Sequence, residues 1–280
     1  MNASLPVLFV SHGAPMFAIE PGQAGDQLAT LGHELTQPQA IVVISPHWMT
    51  RGEVCVTAST HPETIHDFGG FPDALYELQY PAPGAPVLAQ EIVDLLGDAG
   101  WKARLDTRRG LDHGAWIPLL YLAPEATTPV IQVSMPMPMD THNALKLGQA
   151  LKPLRDMNVM IVASGSLTHN LYEFRGANTH SEAYVKQFAA WTAKALTAGD
   201  TAQVLDYRRL APAAERAHPT DEHFLPLLIA LGAAGETYQT RILKGGITYG
   251  VLAMDSYLFS SAVQAHIEPS QSNRGNANHA

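Results

Sequence analysis

The sequence predicts an α/β fold: a single domain with a central mixed, mostly parallel sheet flanked by helices. Three observations carry this. Apolar runs without alternation, at 5–10, 40–45, 129–134 and 159–163, have the pattern of strands buried on both faces of a parallel sheet. Helical spacing separates them, as in Val87, Ile92, Val93, Leu95 and Leu96. The runs at 5–10, 40–45 and 159–163 lead into Ser11-His12, Pro46-His47 and Ser164-to-His169, and open α/β sheets place their ligands beyond the carboxyl ends of strands.

In chain order, the first strand hands over to Ser11-His12-Gly13, and Gly13-Ala14-Pro15 turns the backbone towards a helix over 23–35. The next strand is expected to stop at Pro46, which cannot extend a ladder, so that His47 opens a loop. A short strand at 53–58 leads into a long irregular stretch, 60–86, rich in aromatic residues, glycine and proline; long loops in compact domains tend to be functional. A helix follows over 86–97, with proline at its start and glycine at its stop. Gly110-Leu111-Asp112-His113-Gly114-Ala115-Trp116 opens an apolar helix that runs through Leu122. Residues 129–134 read as a strand, 142–154 as a helix and 159–163 as another buried strand.

A helix over 181–197 and a polar connection come next. His218-Pro219-Thr220-Asp221-Glu222-His223 opens a helix over 224–231, with His223 in its first turn. Strands near 237–243 and 247–254 read as a hairpin over Lys244-Gly245-Gly246. No fixed-period repeat or internal boundary is evident, so the domain is taken as 1–268 and the polar tail 269–280 as disordered.

Composition excludes several classes. A hydrophobic content of 46%, a charged content of 15% and a net charge of −9 with no Lys/Arg cluster argue against a nucleic-acid surface or a polybasic membrane contact. The single cysteine, Cys55, rules out disulfides within the chain and suits a reducing cytoplasm; neither a membrane span nor a signal peptide is expected. Small-molecule partners and a monomer or homodimer are the expectation.

Thirteen histidines is a high count, and their placement matters more than their number. A lone strand-end histidine is most simply a hydrogen-bonded loop residue. Three of them, His12, His47 and His169, together with His113 at a helix start and His223, weaken that reading, because neutral imidazole is the commonest biological metal ligand. His33, His61, His142, His180, His266 and His279 sit in polar, surface-like contexts. Other chemistries fare worse. Ser164-Gly165-Ser166 lacks the spacing of a nucleophile elbow, and no glycine-rich phosphate loop exists. Cys55 has no basic neighbour and reads as a core thiol. Trp48, Phe68, Phe71 and Trp116 are individually best read as packing, but they neighbour His47, His66 and His113 in sequence and suggest an aromatic-lined pocket.

Six motifs in order then carry a resemblance: Ser-His-Gly-Ala-Pro at 11–15, Ser-Pro-His-Trp at 45–48, Thr-Ile-His-Asp-Phe-Gly-Gly-Phe-Pro at 64–72, Leu-Asp-His-Gly-Ala-Trp at 111–116, Ala-Ser-Gly-Ser-Leu-Thr-His-Asn at 163–170 and His-Pro-Thr-Asp-Glu-His at 218–223. From about residue 5 to 255 the chain resembles the DODA-type (4,5-DOPA) extradiol ring-opening dioxygenases of the class III, LigB-like superfamily. The resemblance implies a LigB-like fold and a non-haem metal centre that cleaves a substituted catechol, DOPA-like or a related phenolic, beside its two hydroxyls with O2. It implies His12, His47 and His223 as metal ligands, His169 as acid/base or a further metal-site residue, and His113 as a second catalytic histidine. His66, Trp48, Phe68 and Trp116 are the expected substrate contacts. The broader LigB-like enzymes pair two histidines with a glutamate, whereas here His223 takes that place, with Glu222 one residue before it. An all-histidine set does not favour iron, and zinc outranks Fe(II) in the usual affinity order, so Fe(2+) is expected for activity and Zn(2+) in isolated protein. Two other readings remain open: a zinc hydrolase built on the same histidines, and a binding module like the MEMO proteins, which share the fold.

Overall fold

Both faces of the central strands are buried, and this sets the architecture. The computed structural model describes residues 4–174 and 181–261. In chain order the elements are β1 (Val7–Ser11), α1 (Gly22–Glu34), β2 (Ala40–Arg51), β3 (Val54–Thr57), α2 (Pro86–Asp98), β4 (Ala103–Asp106), α3 (His113–Leu122), β5 (Val130–Met137), α4 (Thr141–Leu151), β6 (Val159–Gly165) and α5 (Ala183–Thr197). Three short helices follow, α6 (Thr201–Leu205), α7 (Tyr207–Leu210) and α8 (Ala214–Ala217), then α9 (Leu225–Ala234), β7 (Tyr238–Leu243), β8 (Ile247–Thr248), β9 (Leu252–Ala253) and β10 (Ser256–Ser261). Among the described residues, eight strands form one sheet in the order β4-β3-β5-β2-β6-β1-β10-β7. Its centre, β5-β2-β6-β1, is parallel, and β10 and β7 extend it antiparallel. The expected α/β domain with a mixed, mostly parallel sheet is what the chain forms. The polar tail lies outside the described residues.

Alternate residues of each central strand feed two apolar layers. Val7 and Phe9 of β1, Val42 and Ile44 of β2, and Ile161 of β6 pack with α2, α4, α5 and α9 on one face. Leu8, Val10, Ile41, Val43 and Val162 pack with α1 and α3 on the other. Up to their carboxyl ends these strands therefore carry apolar side chains on both faces, and period-2 alternation disappears. The helix α9 is buried along its whole length, as an all-round apolar helix must be. No helix among the described residues is long and apolar enough to cross a membrane.

Three expectations are corrected. First, β2 does not stop at Pro46. It continues to Arg51, and its pairing with β5 shifts register between Ile44 and Met49, so His47 stands in a bulge within the strand. Second, β7 does not form a hairpin with the next segment. It pairs with β10, which had not been anticipated, while β8 and β9 make a small separate ladder. Third, His223 lies in the turn before α9, which begins at Leu225. The strand β4 was also not anticipated; its burial is partial, and it pairs parallel with β3 at the sheet edge.

The helices α4 and α9 meet backbone to backbone where Gly148 and Gly232 face each other. A Cβ on Gly148 would stand 2.0 Å from the Ile229 carbonyl oxygen, and one on Gly232 would stand 2.0 Å from that of Leu145. Gly97, near the end of α2, has nothing within 4 Å of a Cβ position. Gly148→Ala should therefore cost roughly 1–3 kcal/mol through overpacking, despite alanine's better helix propensity. Gly97→Ala should be neutral or raise stability by up to about 1 kcal/mol. Urea unfolding midpoints of the two variants check this, and the contrast in sign is the diagnostic.

Candidate metal centre

Five histidines converge at the carboxyl end of the parallel strands. His12 follows β1, and its backbone N–H is held by the Gly165 carbonyl at 2.9 Å. The bulge of β2 delivers His47. His113 is the first residue of α3, whose N-cap Asp112 accepts the Ala115 N–H at 3.2 Å. The carbonyl of His223 accepts from Ser166 N–H at 2.8 Å, and His169 N–H reaches the Ala217 carbonyl at 2.8 Å, so the segment after β6 is pinned to both sides of the turn before α9.

The rings of His12, His47 and His223 form a nearly equilateral triangle, with centroids 5.0, 5.2 and 5.5 Å apart. His113 stands 4.0 Å from His47 and 5.6 Å from His12. His169 lies flat on His223, 3.5 Å away with an 8° interplanar angle. Among the described residues, two groups offer ligand atoms within 4.8 Å of one another: His12, His47 and His113, and His169, Glu222 and His223.

Hydrogen bonds behind the rings choose which nitrogen faces inward. Ser164 gives its own proton to the Gly114 carbonyl, so its oxygen accepts from His12 Nδ1 at 2.9 Å. His223 Nδ1 donates to Glu222 Oε1 at 3.2 Å. His113 Nδ1 donates to Asp67 Oδ1 at 3.0 Å, and the second oxygen of Asp67 lies 3.8 Å from His47 Nδ1. The Nε2 atoms of His12 and His47 are left facing each other at 3.2 Å, and His223 Nε2 is buried without a partner. Inward Nε2 lone pairs with acceptor-held Nδ1 groups are the arrangement of metal-binding histidines, so this donor set fits a metal ion.

Burial, reinforced by the neighbouring histidines, holds His12 and His223 well below the usual imidazole range. Burial, then His113, lowers His47 to about 3, and burial lowers His169 to about 4 against the opposing charge of Glu222. These rings are therefore neutral at pH 7, the form that binds a cation. Asp67 behaves oppositely: burial works against its charge, but the hydrogen bonds and charge of His113 outweigh this and hold the carboxyl down to about 2.

The rings open on a cavity of about 390 Å³ whose remaining walls include Phe68, Phe71, Leu171, Phe174 and Leu252. Of the aromatics singled out in the sequence, Phe68 and Phe71 line this cavity. Trp116 is fully buried, donates its indole N–H to the Ile65 carbonyl and packs behind Phe68 and His66. His66 is tied to the Leu78 carbonyl, and Trp48 lies under the Arg109 guanidinium; none of these three is among the lining residues. Sequence reasoning gave no role to Asp67, Ser164 or His218. Asp67 was visible in its motif, but its pairing with His113 depends on folding of the long loop. His218 is fully buried and bonds the Leu167 carbonyl at 2.9 Å, bracing the approach to His169 from outside the cavity.

Comparison with known proteins agrees with this geometry. The family described as "Catalytic LigB subunit of aromatic ring-opening dioxygenase" matches residues 6–259. A protein of Beta vulgaris named "4,5-DOPA dioxygenase extradiol" is 41% identical over 257 residues, covering 90% of this chain and 96% of its own. An Escherichia coli K12 protein of the same name is 40% identical, covering 90% and 94%. The crystal structure of an uncharacterized Escherichia coli K12 protein superposes with a TM-score of 0.75 at 32% identity, covering 91% of this chain and 99% of that one. The matched span takes in all five converging histidines and all but the last two residues of the sheet, and the chain belongs to the LigB family of aromatic ring-opening dioxygenases.

Proposed function

We propose that the protein is a non-haem extradiol dioxygenase that opens the ring of a substituted catechol, DOPA-like or closely related, with O2. The observation that carries this reading is the triangle of neutral, inward-facing His12, His47 and His223 at the mouth of an apolar cavity. The names of the relatives supply the catechol class. In this reading His12, His47 and His223 hold the metal: His223 Nε2 is a buried lone pair that no protein group claims. When bound, the metal supplies a Lewis acid that acidifies the phenol and a centre at which O2 reacts.

The chain's own groups do the rest. His169 is stacked against His223, which sets it beside the ligand triangle and over the cavity, and burial keeps it neutral and able to take a phenolic proton. His113, oriented by Asp67, lines the same cavity and is the second catalytic histidine of this reading. Phe68, Phe71 and Phe174 line the cavity with apolar surface that excludes water and suits an aromatic ring. Imidazoles alone do not discriminate between iron and zinc, so Fe(2+) is assigned to the active enzyme and Zn(2+) is expected in protein isolated without added iron. The same reading puts the enzyme in the cytoplasm, where the buried thiol of Cys55 stays reduced.

The decisive experiment strips the protein with a chelator, reloads it anaerobically with Fe(2+) or Zn(2+), and follows O2 uptake and the yellow ring-opened product across substituted catechols. Iron-loaded protein should consume O2 and catechol together, and zinc-loaded protein should do neither. An ester or amide hydrolysed by the zinc-loaded protein, with catechols untouched by the iron-loaded one, would replace this reading with a hydrolase.

Single variants separate the histidines. His12→Ala and His223→Ala should abolish stoichiometric metal binding with little change in melting temperature, because these side chains face a cavity and their loss leaves no void in either apolar layer. His113→Ala should keep its metal; elemental analysis decides between this triangle and the rival group His12, His47 and His113. His169→Gln should also keep its metal and bind catechol, yet turn over about 10²–10⁴-fold slower, the usual loss for a general acid/base. Recovery of His169→Gln without metal, from preparations in which wild type is loaded, would make His169 a ligand instead.

A further inference from the structure

His47 stands on a stretch of backbone that the sheet does not hold. β2 pairs with β6 only as far as Ile44, and it rejoins β5 only at Met49. Residues 45–48 therefore lie between ladders, although a cavity-facing ring on them needs placement to within a fraction of an ångström. Side-chain contacts from both sides brace this stretch. Ser45 Oγ accepts the His47 N–H at 3.2 Å. From the other side, Arg109 Nη2 donates to the His47 carbonyl at 3.2 Å, and the guanidinium lies 5.4 Å over the Trp48 ring.

The guanidinium is itself anchored. Its Nη2 is 3.5 Å from Oδ2 of Asp112, a completely buried carboxylate that also accepts from the Gln132 amide. Asp112 is the N-cap of α3, and the next residue is His113. One ion pair thus joins the backbone of His47 to the helix end that carries His113. The junction is tight: a Cβ on Gly114 would stand 2.4 Å from Ser45 Oγ and 2.9 Å from His47 Cδ2.

We propose that Arg109 is a positioning residue of the metal centre, clamping the β2 bulge so that His47 presents Nε2 beside that of His12. The proposal rests on the reading of His47 as a metal ligand, and it gives Trp48 a role as the platform under the clamp.

The test uses Co(2+) titrated into the full-length apoprotein and followed by its visible absorption. This reads the site without catalysis, so a failed dioxygenase assay leaves the measurement standing. Arg109→Met should weaken Co(2+) binding by about 10–100-fold, as loss of an outer support typically does, and should alter the shape of the absorption band. Because Arg109→Met strands the buried Asp112 carboxylate, the double variant Arg109→Met/Asp112→Asn removes that charge while asparagine keeps the helix cap. Weakened binding should persist in the double variant with its apoprotein melting restored to the wild-type range. Co(2+) affinity within about twofold of wild type in the folded double variant would overturn the proposal, because the effect of the single change would then be the stranded charge and not the lost clamp.

Discussion

The centre depends on one constraint: imidazoles buried deeply enough to lose their protons must still have one nitrogen satisfied and the other free. Burial supplies the neutrality, pushing His12, His47 and His223 far below the pH at which they would charge. Burial alone would leave each ring free to rotate or to waste its lone pair. Ser164, Glu222 and Asp67 prevent this by standing behind the Nδ1 atoms, each close to a ring that it orients. These three are as much a part of the site as the histidines, since they decide that Nε2 points inward.

The fold exists in a form that brings those supports together. Parallel strands deliver their carboxyl ends to one edge, so β1 and β6 set His12 and Ser164 side by side, and the bulge in β2 turns His47 toward them. The helix α3 adds His113 at its start, where the N-cap Asp112 is locked into a buried network with Gln132. The turn before α9 adds His223 against the end of β6. A Cβ on Gly165 would meet the His223 carbonyl oxygen at 2.4 Å, so only glycine lets these two segments approach.

Much of this was legible in the sequence, for a physical reason. A strand buried on both faces leaves a continuous apolar run, and a polar residue at its end stands out against it; His12 and the Ser164-to-His169 segment were visible in that way. The motif spacing led to the family and to the same five histidines. What was not legible depends on tertiary pairing. Pro46 reads locally as a strand stop, yet β2 passes through it because the ladder is already broken there. β7 sits close in sequence to a possible hairpin partner, but β10 offers the longer pairing surface beside β1. Trp48 and Trp116 were placed in the pocket from their sequence neighbours, whereas one supports a guanidinium and the other fills the core. Asp67 lies 46 residues from His113, a separation that only the folded loop closes.

The balance of charge follows from the same design. Ligands that are all neutral would leave a divalent ion uncompensated in a low-dielectric cavity, a state that costs several kcal/mol. The compensating charge is present but displaced: Asp67 lies behind His113 and His47, and Glu222 behind His223, each one ring removed from the cavity. Two carboxylates can offset a divalent cation from there without occupying any of its coordination positions. They also polarise the imidazoles, making each Nε2 a stronger donor. Glu222, next to His223 in the chain, stands at that ring's Nδ1. The inner face of the site is left to imidazole nitrogen and aromatic carbon.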